Sequence, residues 1–139
     1  MRRMFDMVRN QNPLMLPAGT TVQQACRAMR DRRVGAVLVT GPDHRLLGIF
    51  TGRDAVARVL AEGKDSTNTT LAEVMTREPH SLPPARIAID ALRVMEDCGC
   101  RHVPIVEREK TVGIVSRGDF RGAELDRLDE ETGIWERIG

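Results

Sequence analysis

The chain has 139 residues, 41% apolar and 29% charged, with a formal net charge of +1; this is the composition of a globular protein, and it excludes a strongly basic surface built to track phosphates. Aromatic residues make up 3% and tyrosine is absent, so a stacking platform for single-stranded nucleic acid is poorly supplied. The start, Met1-Arg2-Arg3-Met4-Phe5-Asp6, puts a carboxylate where a signal peptide would be apolar, and the run Val34 to Val39 is too short to span a bilayer. A cytoplasmic protein is expected, and an odd count of three cysteines argues against a disulfide framework.

The first element is a short extended lead-in at Leu14-Met15-Leu16. Val22, Ala25, Cys26 and Met29 then follow the i, i+3, i+4, i+7 spacing of an amphipathic helix, with Thr20 and Gln23 as its capping box. Ala36-Val37-Leu38-Val39 predicts a strand, Gly41 to Arg45 a turn, and Leu46 to Phe50 a second strand. A helix begins near Asp54 and stops near Gly63. Lys64 to Thr69 reads as a linker, and Thr70-Leu71-Ala72-Glu73 as a capping box opening a short helix through Met75. The order then recurs. His80-Ser81-Leu82 is extended, and Ala88, Ala91, Leu92 and Met95 repeat the helical spacing. Cys98 and Cys100 flank a glycine turn. With His102 they suggest a metal, but a closed zinc site needs a fourth ligand. Val103-Pro104-Ile105-Val106 is a strand in which Pro104 suits an edge or a strand start. Thr111 to Val115 is its partner, and a last helix begins near Asp119. The tail from Glu124 is charged, with Leu125, Leu128, Trp135 and Ile138 as docking points.

The two halves are copies. Setting Pro13 on Pro79 puts Leu16-Pro17 on Leu82-Pro83, and Ala25, Arg27, Met29 and Asp31 on Ala91, Arg93, Met95 and Asp97. Val37 falls on Val103; after one residue is lost in the turn, Gly48-Ile49 falls on Gly113-Ile114 and Asp54 on Asp119. Each copy reads helix–strand–strand–helix after an extended lead-in, and at roughly 50 residues it is too small to bury a sufficient core alone. The limits are 11–63 for the first copy, 64–76 for the linker and short helix, 77–128 for the second copy and 129–139 for the tail.

Gly48-Ile49-Phe50-Thr51-Gly52-Arg53-Asp54 and Gly113-Ile114-Val115-Ser116-Arg117-Gly118-Asp119 carry the chemistry. In each, a strand ends in a hydroxyl and an Asp follows in the first turn of a helix. The free N–H groups of a helix start attract phosphate. Thr51 or Ser116 can donate to a phosphate oxygen, Asp54 or Asp119 can accept both ribose hydroxyls, and Arg53 or Arg117 adds charge. The same spacing is also a capping box with no ligand at all, and both readings stand.

These segments, the strand openings Gly35-Ala36-Val37-Leu38-Val39 and Arg101-His102-Val103-Pro104-Ile105-Val106, and Glu73-Val74-Met75-Thr76 resemble the CBS (cystathionine β-synthase) motif. The resemblance covers about Gln11 to Leu128 and implies a fold class of α/β (α+β). Two βαββα repeats would pack with pseudo-twofold symmetry as a Bateman module, with clefts between them that bind AMP, ADP, ATP or S-adenosylmethionine. It implies that the Asp holds ribose, that the Ser or Thr faces phosphate, and that Ala36, Val37, His102 and Val103 wall the adenine. Where the second copy has Arg101-His102 and Pro104, the first has Gly35-Ala36 and Leu38, so the two sites are expected to differ. Arg101 matches a phosphate, and His102 reads equally as a half-buried structural side chain. No nucleophile–base pair or metal set points to an enzyme. The expectation is a non-catalytic sensor of adenine nucleotides, ahead of S-adenosylmethionine, that forms a twofold homodimer and acts on an unidentified effector protein; the alternative is a structural dimerisation or docking module with empty clefts, and behind both stands a redox or metal sensor using Cys98 and Cys100.

Overall fold

The computed structural model describes residues 2–120, 122, 124 and 125. In chain order the elements are α1 (Met4–Val8), β1 (Met15–Leu16), α2 (Val22–Arg32), β2 (Ala36–Thr40), β3 (Leu46–Thr51), α3 (Gly52–Asp54), α4 (Leu71–Val74), β4 (Thr76–Arg77), α5 (Ala88–Cys98), β5 (His102–Glu107) and β6 (Lys110–Ser116). The chain is a mixed α+β protein of two repeats that divides into two compact units. One holds Asn12–Pro79 with Val106–Thr111; the other holds, of the described residues, those up to Gln11, His80–Ile105, and those from Val112 onward.

In the unit containing residues 12–79, β1 runs parallel to β2, with Met15 opposite Leu38. β2 pairs antiparallel with β3, Ala36 opposite Thr51, and β3 pairs antiparallel with β4, giving the order β1-β2-β3-β4. α2 lays Val22, Ala25 and Met29 into a core with Val37, Val39, Phe50, Val59 and Leu71. In the other unit β5 and β6 form a two-stranded sheet, and Leu82 makes an isolated parallel bridge to Ile105. α5 buries Ala88, Leu92 and Met95 against Val103, Ile105, Val115 and Phe120. Each such Val, Leu, Ile or Met contributes about 1.5–3 kcal/mol when fully buried, so each repeat's helix is held to its sheet by a handful of apolar residues. Among the described residues no helix is long and apolar enough to cross a membrane.

The structure revises the sequence reading in four places. The N-cap of α2 is Thr21, not Thr20: the Thr21 hydroxyl accepts from the N–H of Gln24 at 3.2 Å, and Gln24 Oε1 accepts from the N–H of Thr21 at 3.0 Å. Thr20 is committed to a turn, its N–H donating to the Pro17 carbonyl. The helix after Asp54 widens into π geometry over Ala55–Leu60 and ends there, capped by Ala61, ahead of a turn that closes at Gly63, whose φ is +67°. Cys98 and Cys100, read as flanking a glycine turn in a chain with no disulfide framework, are joined as a disulfide; Gly99 between them, at φ 65°, folds the chain back far enough for the two to meet. Near Asp119 the backbone makes a 3₁₀ turn over Arg117–Asp119, with Gly122, Glu124 and Leu125 helical beyond it. Of the tail, Leu125 is partly buried against the core, whereas Leu128, Trp135 and Ile138 lie outside the described residues. The box of Thr70 and Glu73 forms as read, the Thr70 N–H donating to Glu73 Oε2 at 2.7 Å.

Candidate functional site

Both hydroxyl-x-x-Asp segments sit where an antiparallel strand gives way to a helical turn. In the first repeat the extended backbone of Thr51 (φ −120°, ψ 168°) turns into α3. Asp54 Oδ2 accepts from the Thr51 N–H at 3.0 Å and from its hydroxyl at 3.2 Å, while that hydroxyl accepts from the N–H of Asp54 at 3.2 Å. In the second repeat Asp119 Oδ2 accepts from the Ser116 N–H at 2.7 Å. The capping geometry is therefore present in both copies. A phosphate reaching Thr51 would have to displace its bond to Asp54.

Each cap is tied to the opening of the first long strand of its own repeat. Ala36 lies opposite Thr51 in the β2–β3 ladder, and the N–H of Gly52 donates to the Gly35 carbonyl at 3.1 Å. Correspondingly, the N–H of Arg117 donates to the Arg101 carbonyl at 2.9 Å. The structure thus gathers Ala36, Val37, Thr51, Arg53 and Asp54 in one repeat, and Arg101, His102, Val103, Ser116, Arg117 and Asp119 in the other. Val37 and Val103 are fully buried in their cores, so what they offer a ligand is backbone. Pro104 is buried too, in β5. Arg53 and Arg101 are exposed, and Arg117 reaches Glu96 at 4.0 Å.

Electrostatics differ between the copies. Arg58, one helical turn beyond Asp54, lies 3.6 Å from its carboxylate and donates to the Val74 and Met75 carbonyls at 3.2 and 3.1 Å. Asp119 is exposed, and its carbonyl accepts from Arg2 at 2.9 Å while Arg2 also pairs with buried Glu124 at 2.6 Å. His102, half-buried at the start of β5, is pushed below its ordinary value, first by burial and then by the Arg101 cation, with Asp119 opposing. Arg58 and Arg2 were missed in the sequence. The Asp-x-x-x-Arg spacing from Asp54 to Arg58 was a usable signal, whereas nothing in the local pattern connects Arg2 with residues so far along the chain. Among the described residues no three His, Cys, Asp or Glu side chains converge as a metal site.

A family model for the CBS domain matches the chain twice, over residues 5–61 and 71–126. The CBS domain-containing protein CBSCBSPB3 of Arabidopsis thaliana is 38% identical over 113 residues, which are 81% of this chain and 20% of that protein; the chain thus spans about a fifth of that relative's length. Hypoxic response protein 1 of Mycobacterium tuberculosis is 37% identical over 72% of this chain and 70% of its own length. A solved structure of a hypoxic response protein, with two coordinated zinc ions, superposes with a TM-score of 0.75 at 30% identity, covering 86% of this chain and 96% of that one. The fold is shared as well with a CBS domain protein of Pyrobaculum aerophilum solved in complex with AMP, at a TM-score of 0.81 and 24% identity over 94% of this chain and 99% of that one.

Proposed function

The chain belongs to the CBS domain family, and from that premise we propose that it is a non-catalytic regulatory module that binds an adenine nucleotide at its two strand-to-helix segments. Asp54 and Asp119 accept the ribose hydroxyls. Thr51 and Ser116 face phosphate together with Arg53, Arg117 and the helix-start N–H groups. Ala36 and Val37, or His102, Val103 and Pro104, flank the base. AMP, ADP and ATP are the ligands of choice, with S-adenosylmethionine behind them. The observation that carries this reading is the bond that ties each cap to the opening of its own strand, Gly52 to Gly35 and Arg117 to Arg101. It puts a carboxylate, a hydroxyl and helix-start donors beside one strand opening, twice. The AMP complex of the Pyrobaculum aerophilum protein, which shares the fold, supports the choice of ligand.

The test is thermal denaturation with AMP, ADP, ATP and S-adenosylmethionine, for the wild type and for Asp54→Ala combined with Asp119→Ala. A ligand at ~100 times its dissociation constant adds about 2.7 kcal/mol. The double variant loses capping contacts, so each protein is compared with its own ligand-free baseline. Stabilisation by a nucleotide in the wild type and none in the double variant is expected; equal stabilisation of both removes the aspartates from the site.

A second reading, a dimerisation or docking module with empty sites, is favoured by a separate observation. Asp54 and Thr51 already satisfy one another and Arg58, while Val56 and Leu60 on the following helix are 60% and 71% exposed. Self-association with no response to any of the four ligands selects it.

A further inference from the structure

The disulfide between Cys98 and Cys100 joins the end of α5 to the residue two before β5. Their Cα atoms are 5.3 Å apart, within the range that bridged cysteines adopt. The turn itself does not depend on the bridge. In the first repeat the equivalent residues are Arg32-Arg33-Val34. Arg33 takes the same left-handed conformation as Gly99, φ 55° against 65°. The N–H of Val34 donates to the Met29 carbonyl at 3.0 Å, and the N–H of Cys100 to the Met95 carbonyl at 3.1 Å. Backbone bonds alone build this helix end where there is no sulfur. A disulfide's constraint on the unfolded chain also shrinks with the loop it closes, and this loop encloses a single residue. The fold therefore supplies no structural reason for a cysteine pair here. Cys98 is exposed and Cys100 half-buried, so a small reagent can reach the pair.

We propose that Cys98 and Cys100 form a reversible thiol–disulfide site that exchanges with low-molecular-weight thiols and disulfides of the glutathione class. In the oxidising direction the thiolate of exposed Cys98 attacks a sulfur of glutathione disulfide. An S–S bond forms to Cys98, and the bond between the two glutathione sulfurs breaks to release one glutathione thiolate. The Cys100 thiolate then attacks the Cys98 sulfur and expels the second glutathione thiolate. The two protons that leave the protein thiols end on the two glutathiones. The protein dithiol is oxidised by two electrons, glutathione disulfide is reduced by two, and reduction runs the same steps backwards. Cys26, half-buried on α2 and with its thiol pushed up by burial, takes no part. The pair directly precedes Arg101, whose carbonyl holds the Arg117 N–H, so it lies against the second proposed nucleotide segment, although the exchange does not depend on that assignment.

The test equilibrates the full chain, without nucleotide, in buffers of graded glutathione to glutathione disulfide ratio, then labels free thiols with a maleimide and weighs the intact protein. A three-label species that gives way to a one-label species as the ratio falls, and returns as it rises, is expected. Cys98→Ser and Cys100→Ser should each lack the glutathione-free one-label species, stopping at two labels or at one label with one bound glutathione, and Cys26→Ser should keep the two-thiol step. Three labels at every ratio, glutathione adducts with no internal bridge, or a bridge that no ratio opens overturns the proposal. The protein is read without nucleotide, so failure here leaves the nucleotide reading to its own test.

Discussion

Asp54 and Asp119 occupy matching positions but face different neighbours. Arg58 stands 3.6 Å from the first, whereas the second is exposed and has the exposed Arg101 across the Arg117–Arg101 bond. The second segment thus has an exposed guanidinium at its strand opening where the first has Gly35. Arg101→Ala should weaken ATP or AMP binding by about tenfold or more while adenosine binding barely changes, because a charge-assisted bond of about 1.5–3 kcal/mol is lost only where a phosphate is present. Titration calorimetry with ATP and with adenosine separates the outcomes; equal weakening of both would make Arg101 part of the pocket wall instead. His102 gives a pH signature of its own. Burial and Arg101 hold it below the ordinary value of 6.5 in the folded chain, so the unfolded chain takes up a proton first. Its contribution to stability is complete above that value and is lost as pH falls from it toward the depressed folded value. Urea midpoints measured from about pH 7.5 down to about pH 5.5 should fall more steeply for the wild type than for His102→Gln; parallel slopes would show that His102 titrates alike in both states.

The strands β3 and β6 show how far equivalent elements can be completed by different means. Ile49 on β3 pairs with Thr76 of β4. Its counterpart Ile114 on β6 has its N–H and carbonyl taken by the side-chain amide of Gln11, at 2.7 and 2.8 Å. The glycine before each isoleucine is where the covering segment comes closest. A Cβ on Gly48 would lie 2.6 Å from Met75 Sδ and 2.7 Å from the Thr76 carbonyl oxygen; one on Gly113 would lie 2.6 Å from Val8 Cβ. Gly48→Ala and Gly113→Ala should each cost about 1–3 kcal/mol by overcrowding, read as a lower urea midpoint at unchanged slope. A loss near zero at Gly113 would mean that α1 can move away from β6. The Gly-Ile pair was legible as a repeat mark, but its cause was not, since Gln11 and Val8 lie outside the local pattern. α1 escaped for a similar reason: in five residues only Met4 and Val8 are buried, too few to set a period. The stripes of α2 and α5 were readable because three or more buried positions recur at helical spacing in each. The cap of α2 slipped by one residue because Thr20-x-x-Gln23 and Thr21-x-x-Gln24 both fit the rule, and only the turn at Pro17 decides between them.

At the scale of the whole molecule, the chain passes from one unit to the other after Gln11, Pro79, Ile105 and Thr111. The segment before each repeat thereby packs with the other repeat's strands: α1 and Gln11 with β6, and β4 with β3. Each unit has a core of about a dozen buried residues, the scale at which small domains are only marginally stable alone and further burial helps. The helix after Asp54 leaves surface for that purpose. Val56 and Leu60, four residues apart and so on one face, are 60% and 71% exposed. Beside them a surface groove runs between this helix and α2, lined by Val22, Cys26, Ala55, Val59 and Leu60 and rimmed by Gln23, Arg27, Arg30 and Ser66. Exposed apolar side chains on one helix face are what a self-association surface would need. A second copy of the chain could cover it through a twofold contact in which the same face meets itself, and a stable contact of that type buries about 1,200–2,000 Å² in total. Light scattering at tens of micromolar should therefore report the mass of two chains. Val56→Glu with Leu60→Glu should shift it to one, because the contact would bury carboxylates against apolar surface with no partner charge. A monomeric wild type refutes the dimer outright. A dimer that survives both glutamates places the interface on another face.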